Sequence, residues 1–451
     1  MSKIKDMTEG RPFGLMIRFA VPLMLVGILQ LVYTMVDSAT VGQVMGVDAF
    51  ASVAVTGNAF WLVMSSVLGI TQGFGTVFAQ RFGAKDTDGL RRAFATGVLL
   101  SVILGAVISC AGIFGSRYAL EALNTSENLI DGATVYLGIL LGGMPITLMY
   151  NTLGAMLRAL GNSKTPLYAM IASTVFNIGM DIALVFPLGI AGVAIATLMA
   201  QVLACVICVR SLRRVREAHF SRRDFSVSSA GALLRLSLPL GLRNAVIQVG
   251  GLAVQYYING YGEIYAAGVG AAKNMYNLLL IAAGGVDGAV ATFVAQNFGA
   301  GLLKRVRRGV RTGLWMMLIS SVVMAAAAVL FGRFLMGLQI SGDPTRLDAV
   351  LDVGQQQLNT LAFGLPVLCL LFLYRSALQG VGNALFPMLS GFLELAGRFA
   401  AVLGLTAVWG VWGVYLADPA GWVLATVLLA VSYAVVFRRK LRAGEEDLGN
   451  K

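Results

Sequence analysis

Apolar runs of about 20 residues, the length a helix needs to cross a lipid bilayer, recur from one end of this chain to the other. Inside hydrocarbon no water satisfies the backbone, so such runs fold as helices, which bond their own peptide groups. Twelve are read, at roughly residues 15–37, 50–74, 93–115, 133–155, 165–187, 190–210, 233–258, 265–290, 310–335, 355–377, 386–408 and 411–436. The fold class that follows is all-α and integral to a membrane. The composition agrees. The 451 residues are 57% hydrophobic and 12% charged, whereas a soluble chain is about a quarter charged. Residues 1–14 are polar and lack a cleavage site, so the first span is expected to serve as its own insertion signal.

The formal net charge of +12 would suggest a nucleic-acid partner in a soluble protein. Its placement argues otherwise. With the N-terminus set inside, 26 of the 34 Lys and Arg fall in inside segments and three fall outside: Arg117, Arg333 and Arg346. That asymmetry is the positive-inside signature. It predicts both termini in the cytoplasm and a multi-pass protein of the inner (plasma) membrane.

The chain also repeats itself. Gln80, Phe82, Gly83 and Ala84 recur 216 residues later as Gln296, Phe298, Gly299 and Ala300. Pro145, Gly161, Asn162 and Pro166 recur at an offset of 221 as Pro366, Gly382, Asn383 and Pro387, and Pro22 matches Pro239. An ordered series at near-constant offset is an internal repeat. Six spans per copy is an even number, so both copies keep the same orientation. The expected architecture is two six-helix lobes related by a pseudo-twofold axis along the membrane normal, as in transporters that open alternately to each side. The predicted parts are a cytoplasmic N-terminus (1–14), an N-lobe (15–210), a cytoplasmic linker (211–232), a C-lobe (233–436) and a cytoplasmic C-terminus (437–451). The repeated "AQxFGA" string reads as a helix stop followed by inside basic charge.

Ionisable groups inside a bilayer are costly and mark function by default. In the N-lobe these are Asp37 and Asp181. Gln30, Thr34 and Asp37 share one helix face, as do Met170, Thr174, Asn177 and Asp181, and Thr197 with Gln201. Counting residues from the span ends puts Asp37, Asn177, Asp181 and Thr197 at a similar depth. Two acids without a basic partner can bind protons, or hold Na⁺ with amide and hydroxyl oxygens completing the shell. The plainer roles are a helix cap near water for Asp37 and a local bond for Asp181. In the C-lobe, Gln248 and Gln255 repeat the spacing of Gln30 and Asp37 with the acid replaced. Glu394 and Arg398, one turn apart, are expected to form a structural ion pair. Asp287 has no evident partner, with Lys or Arg of the nearby inner loop a candidate. Cys205 and Cys208 form a CxxC, but within a span and without a second pair, so packing is the expected role. His219 falls in the linker and reads as a solvated residue.

Taken together, "MVDSATVG" (35–42), "AQRFGAK" (79–85), "RALGNSKTP" (158–166), "NIGMD" (177–181), "GVAIAT" (192–197), "AQNFGAG" (295–301) and "LQGVGN" (378–383) make the chain resemble the multidrug and toxin extrusion (MATE) family. The pattern is nearest its DNA-damage-inducible F-type and archaeal branch. The resemblance implies a cation or proton site at Asp37, Asn177, Asp181 and Thr197, and a bend of helix 1 at Pro22. It also implies a substrate cavity lined by Gln30, Met170 and Thr174, to which Thr34 and Gln201 add by sharing those helix faces. The norfloxacin-exporting branch carries acids in helices 7 and 10, which this sequence lacks.

The expected function is proton- or sodium-coupled antiport of amphipathic, often cationic, organic compounds. No cofactor is expected beyond the coupling ion, and a monomer is the expected unit. No GxxxxGK[ST] phosphate loop is present, so the energy must come from an ion gradient. A lipid-linked precursor flippase is the alternative, and it would want arginines lining a central cavity to hold pyrophosphate. An integral membrane enzyme is less favoured, because His219 is the sole histidine.

Overall fold

The structure is a computed structural model that describes residues 6–123, 125–215, 219, 224–340 and 344–449. Residues 1–5 of the predicted N-terminus, 216–218 and 220–223 of the predicted linker, and 450–451 of the predicted C-terminus lie outside the described residues.

Among the described residues every regular element is helical. In chain order they are α1 (Pro12–Met45), α2 (Val47–Gly83), α3 (Thr87–Ala122), α4 (Glu127–Gly142), α5 (Met144–Ala159), α6 (Lys164–Leu188), α7 (Ile190–Leu212), α8 (Val227–Asn259), α9 (Glu263–Gly299), α10 (Leu303–Gly337) and α11 (Pro344–Gly380). Then follow α12 (Leu385–Ala400), a π turn (Ala401–Leu405), α13 (Thr406–Trp409), α14 (Val411–Tyr415) and α15 (Ala417–Gly449). Several helices reach 34–37 residues, or roughly 50 Å at 1.5 Å per residue. They overrun the ~30 Å hydrocarbon layer, which is why the apolar windows read from sequence fall inside them.

The twelve spans of the fold are not twelve plain helices. Among the described residues, ten helices are each long and apolar enough to cross alone, and α4 with α5 is so as a pair bent by 46°. The break falls at Gly143, and Pro145 in the first turn of α5 has no N–H to bond back across it. The remaining span is α8, whose Arg243 and Asn244 dilute its apolar character. The span predicted at 386–408 contains the π turn and ends at Gly410, where φ is +57°.

The backbone itself carries the repeat. Apart from Gly10, the described residues with positive φ fall in pairs: Gly46 with Gly262, Lys85 with Gly301, Gly161 with Gly382, and Gly189 with Gly410. The "GN" of each copy thus has a physical reason. Gly161 takes the left-handed conformation that ends α5, and Asn162 Oδ1 then accepts from the Thr165 N–H at 3.0 Å to start α6. Asn383 does the same for α12 through the Phe386 N–H at 3.3 Å.

The chain forms two compact units, one holding Asp6 and Val21–Gly241, the other Met7–Ala20 and Leu242 onward. These boundaries differ from the predicted lobes. The first nine helical residues of α1 pack with the second unit, and the first half of α8 packs with the first. Both changes of partner fall beside a proline inside a helix, Pro22 and Pro239. A proline there removes one i→i−4 bond, so the helix halves on either side can follow different neighbours. In the second unit the "AQNFGAG" string is more than a helix stop. Gln296 and Asn297 are fully buried. Gln296 Oε1 accepts from the Met7 N–H at 2.8 Å, and Asn297 Nδ2 donates to the Met7 carbonyl at 3.1 Å.

Candidate functional site

The first unit brings Asp37 of α1, Asn177 and Asp181 of α6, and Thr197 of α7 together. All four are buried, Asn177 and Asp181 completely. The Asp37 carboxyl has the Asp181 carboxyl and the Thr197 hydroxyl as close neighbours. Asn177 Nδ2 donates to Asp181 Oδ1 at 3.3 Å, a bond set by their i, i+4 spacing on one helix face. Thr197 Oγ1 donates to the Val193 carbonyl at 3.1 Å.

Oxygen is in excess here and positive charge is missing. Asp37 Oδ1, Asn177 Oδ1 and Asp181 Oδ2 are buried and have no hydrogen-bond partner among the described residues. Neither acid has a basic neighbour among them. Two carboxylates held this close away from water repel strongly, and a lone buried anion is costly. A proton shared between them, or a small hard cation on the free oxygens, relieves both penalties. The walls strengthen the effect. Val41, Val185 and Val193 each lie one helical turn from Asp37, Asp181 and Thr197. With Tyr136, Leu140 and Ala194 they form a buried apolar cluster that keeps the local dielectric low.

The other residues singled out in the sequence are placed less uniformly. Met170 and Thr174 are buried on α6, two turns and one turn before Asn177. Gln30 and Thr34 lie on the exposed side of α1, where Thr34 Oγ1 donates to the Gln30 carbonyl at 3.0 Å. Gln201 accepts from Thr147 Oγ1 of α5 at 2.7 Å. Pro22 is buried within α1, which runs helical on both sides of it.

In the second unit the expected Glu394–Arg398 pair exists at 3.8 Å, but it is the weakest link of a chain. Glu394 pairs closely with Arg375 of α11. Arg398 Nε donates to Asp418 Oδ1 of α15 at 2.6 Å, and its Nη1 donates to the Ile247 carbonyl of α8 at 2.8 Å. Asp287 finds its partner in Ser376 Oγ of α11, not in an inner-loop cation. Spacing on one helix shows i, i+4 neighbours only, so these cross-helix partners were invisible in the sequence. Tyr33, which reaches the Thr197 hydroxyl, was also missed. Its signal was there, four residues before Asp37 on the same face.

A family model described as MatE matches residues 22–183 and 239–398, one stretch in each repeat. Among curated relatives, the "Probable multidrug resistance protein YpnP" of Bacillus subtilis (strain 168) is 30% identical over 91% of both chains. The "Probable multidrug resistance protein YoeA" of the same strain is 28% identical, over 94% of this chain and 93% of that one. Among solved structures, one titled "Crystal structure of MATE in the bent conformation" superposes with a TM-score of 0.89 at 19% identity, covering 99% of this chain and all of the other.

Proposed function

Because the chain belongs to the MatE family of multidrug efflux transporters, we propose that it exports amphipathic, often cationic, organic compounds in exchange for H⁺ or Na⁺. The coupling ion would bind between Asp37 and Asp181. The observation that carries this reading is that two buried acids lacking a counter-cation, with Asn177 beside them, leave Asp37 Oδ1, Asp181 Oδ2 and Asn177 Oδ1 without hydrogen-bond partners among the described residues. Asp37 and Asp181 supply the charge that the ion must neutralise. Asn177 orients the Asp181 carboxyl through its 3.3 Å bond and offers its own carbonyl oxygen. Thr197, whose hydroxyl hydrogen goes to the Val193 carbonyl, turns its oxygen toward the same site from α7.

Binding joins three helices at one point, and release leaves their oxygens repelling. That difference in free energy is what a gradient needs in order to bias two conformations. Pro22 is the natural hinge, since the missing backbone bond lets α1 bend as its Asp37 end changes partner. Met170 and Thr174, on the face of α6 that carries Asn177, would bring bound compound near the ion site, so that occupancy of one opposes the other. The excess of inside basic residues supports cytoplasmic termini. The acids of the first unit fit the F-type and archaeal pattern. A flippase is less favoured, because Arg375 and Arg398 are held by Glu394 and Asp418 and so are not free to hold a pyrophosphate.

The test is ethidium efflux from proteoliposomes under an imposed pH gradient and, separately, an imposed Na⁺ gradient. The native chain is expected to respond to one of them, and Asp37→Asn and Asp181→Asn to neither. Gradient-driven efflux that survives in both variants removes the site from the mechanism.

A further inference from the structure

The surface between α5 and α7 carries a groove of about 790 Å³. Its apolar wall includes Pro145, Ile146 and Met149 of α5 and Val202 and Val206 of α7. Its far end is lined by Arg210, Arg213 and Arg214. Val202 and Val206 are about half exposed, and the three arginines are exposed. No described acid forms an ion pair with any of the three.

We infer that this groove binds an anionic phospholipid, with an acyl chain along the apolar wall and the headgroup phosphate against Arg210, Arg213 and Arg214. The dimensions fit. From Val202 to Leu212, the end of α7, is roughly 15 Å at 1.5 Å per residue, close to one leaflet of a ~30 Å hydrocarbon layer. The order of chemistry fits as well, apolar at mid-membrane and basic where the headgroups lie. Guanidinium groups pair with phosphate oxygens in a fork geometry and with more than one at a time, and basic pockets between membrane helices hold anionic headgroups. The groove is also distinct from the ion site. Val202 and Val206 occupy a different face of α7 from Thr197 and Gln201, and three positive charges repel a cationic compound. A bound lipid would fill the groove, holding α5 and α7 together where Cys205 Sγ meets the Ile146 carbonyl only at 3.8 Å.

The experiment uses the full-length protein, delipidated and titrated with phosphatidylglycerol or phosphatidylcholine of the same chain length, with bound lipid counted by native mass spectrometry. The native chain is expected to retain phosphatidylglycerol preferentially. Replacing Arg210, Arg213 and Arg214 with Gln should weaken that retention by roughly ten- to a hundredfold, given the attraction each basic residue contributes near an anionic surface. Val206→Trp, which fills the groove without changing charge, should weaken it too. Both variants sit on exposed positions, and thermal unfolding in phosphatidylcholine checks that each still folds. Equal retention of the two lipids by the native chain overturns the inference. So does undiminished phosphatidylglycerol binding in either variant. Displacement of the lipid by glycerol phosphate at matched concentration would show a free-anion site instead, and overturns it as well.

Discussion

The two units place opposite electrostatics on one repeated scaffold. In the first, Asp37, Asn177, Asp181 and Thr197 converge with no cation among them. At the positions related by the repeat, 218 or 221 residues on, the second unit has Gln255, Arg398, Val402 and Asp418. There the second acid has become a valine, and the remaining pair neutralises itself, Arg398 to Asp418 at 2.6 Å. Arg375 and Glu394 extend the same alternation, and Gln255 Nε2 is occupied by Asn259 Oδ1 at 2.9 Å. A buried charge without a partner invites an ion, whereas a buried charge with a fixed partner becomes structure. The comparison therefore sets a unit whose buried acids lack a counter-cation against one in which Arg375, Glu394, Arg398 and Asp418 pair among themselves.

That contrast can be broken in order of expected effect. The largest is functional. Asp37→Asn and Asp181→Asn should abolish gradient-driven efflux while thermal unfolding in nanodiscs stays at or above the native midpoint, since each removes an uncompensated buried acid. A lowered midpoint in both would mean that these acids are structural, like those of the second unit. Next comes Glu394→Gln, which strands Arg375 and frees one contact of Arg398. Removing one partner of a buried pair costs about 3–5 kcal/mol, so this variant should unfold markedly earlier. The double variant Arg375→Met/Glu394→Met should recover most of that loss, because apolar side chains of similar volume replace buried pairs well. No recovery would show that the ladder does more than neutralise itself.

A smaller effect is expected of Asn177→Ala. It deletes one orienting bond and leaves both acids, so coupled efflux should fall several-fold without being lost. The smallest concerns the repeat's backbone. Lys85 is the only non-glycine with positive φ among the described residues, at +57°, where the other copy has Gly301. A left-handed non-glycine costs about 1–2 kcal/mol. Lys85→Gly should raise the unfolding midpoint slightly, and Gly301→Lys should lower it.

How much of this was legible beforehand depends on what each signal measures. Helical spacing put Asn177 and Asp181 on one face, and counting depth from the span ends put Asp37 and Thr197 level with them. Those are one-dimensional quantities, and a helix preserves them. The same reasoning gave Glu394 its i, i+4 neighbour Arg398 but not the tighter partners Arg375 and Asp418, because those arrive from other helices. It read Gln296 and Asn297 as part of a helix stop, when their side chains hold the backbone of Met7, 289 and 290 residues away.

The sequence alone determined the membrane class, the repeat and the positions of the turns, because a bilayer forces apolar length and glycine or proline forces a break wherever the chain stands. Tertiary structure decided which unit each half of α1 and α8 joins, which charges are paired and which oxygens are left over. Those outcomes depend on distances between helices, and no spacing along one helix encodes them.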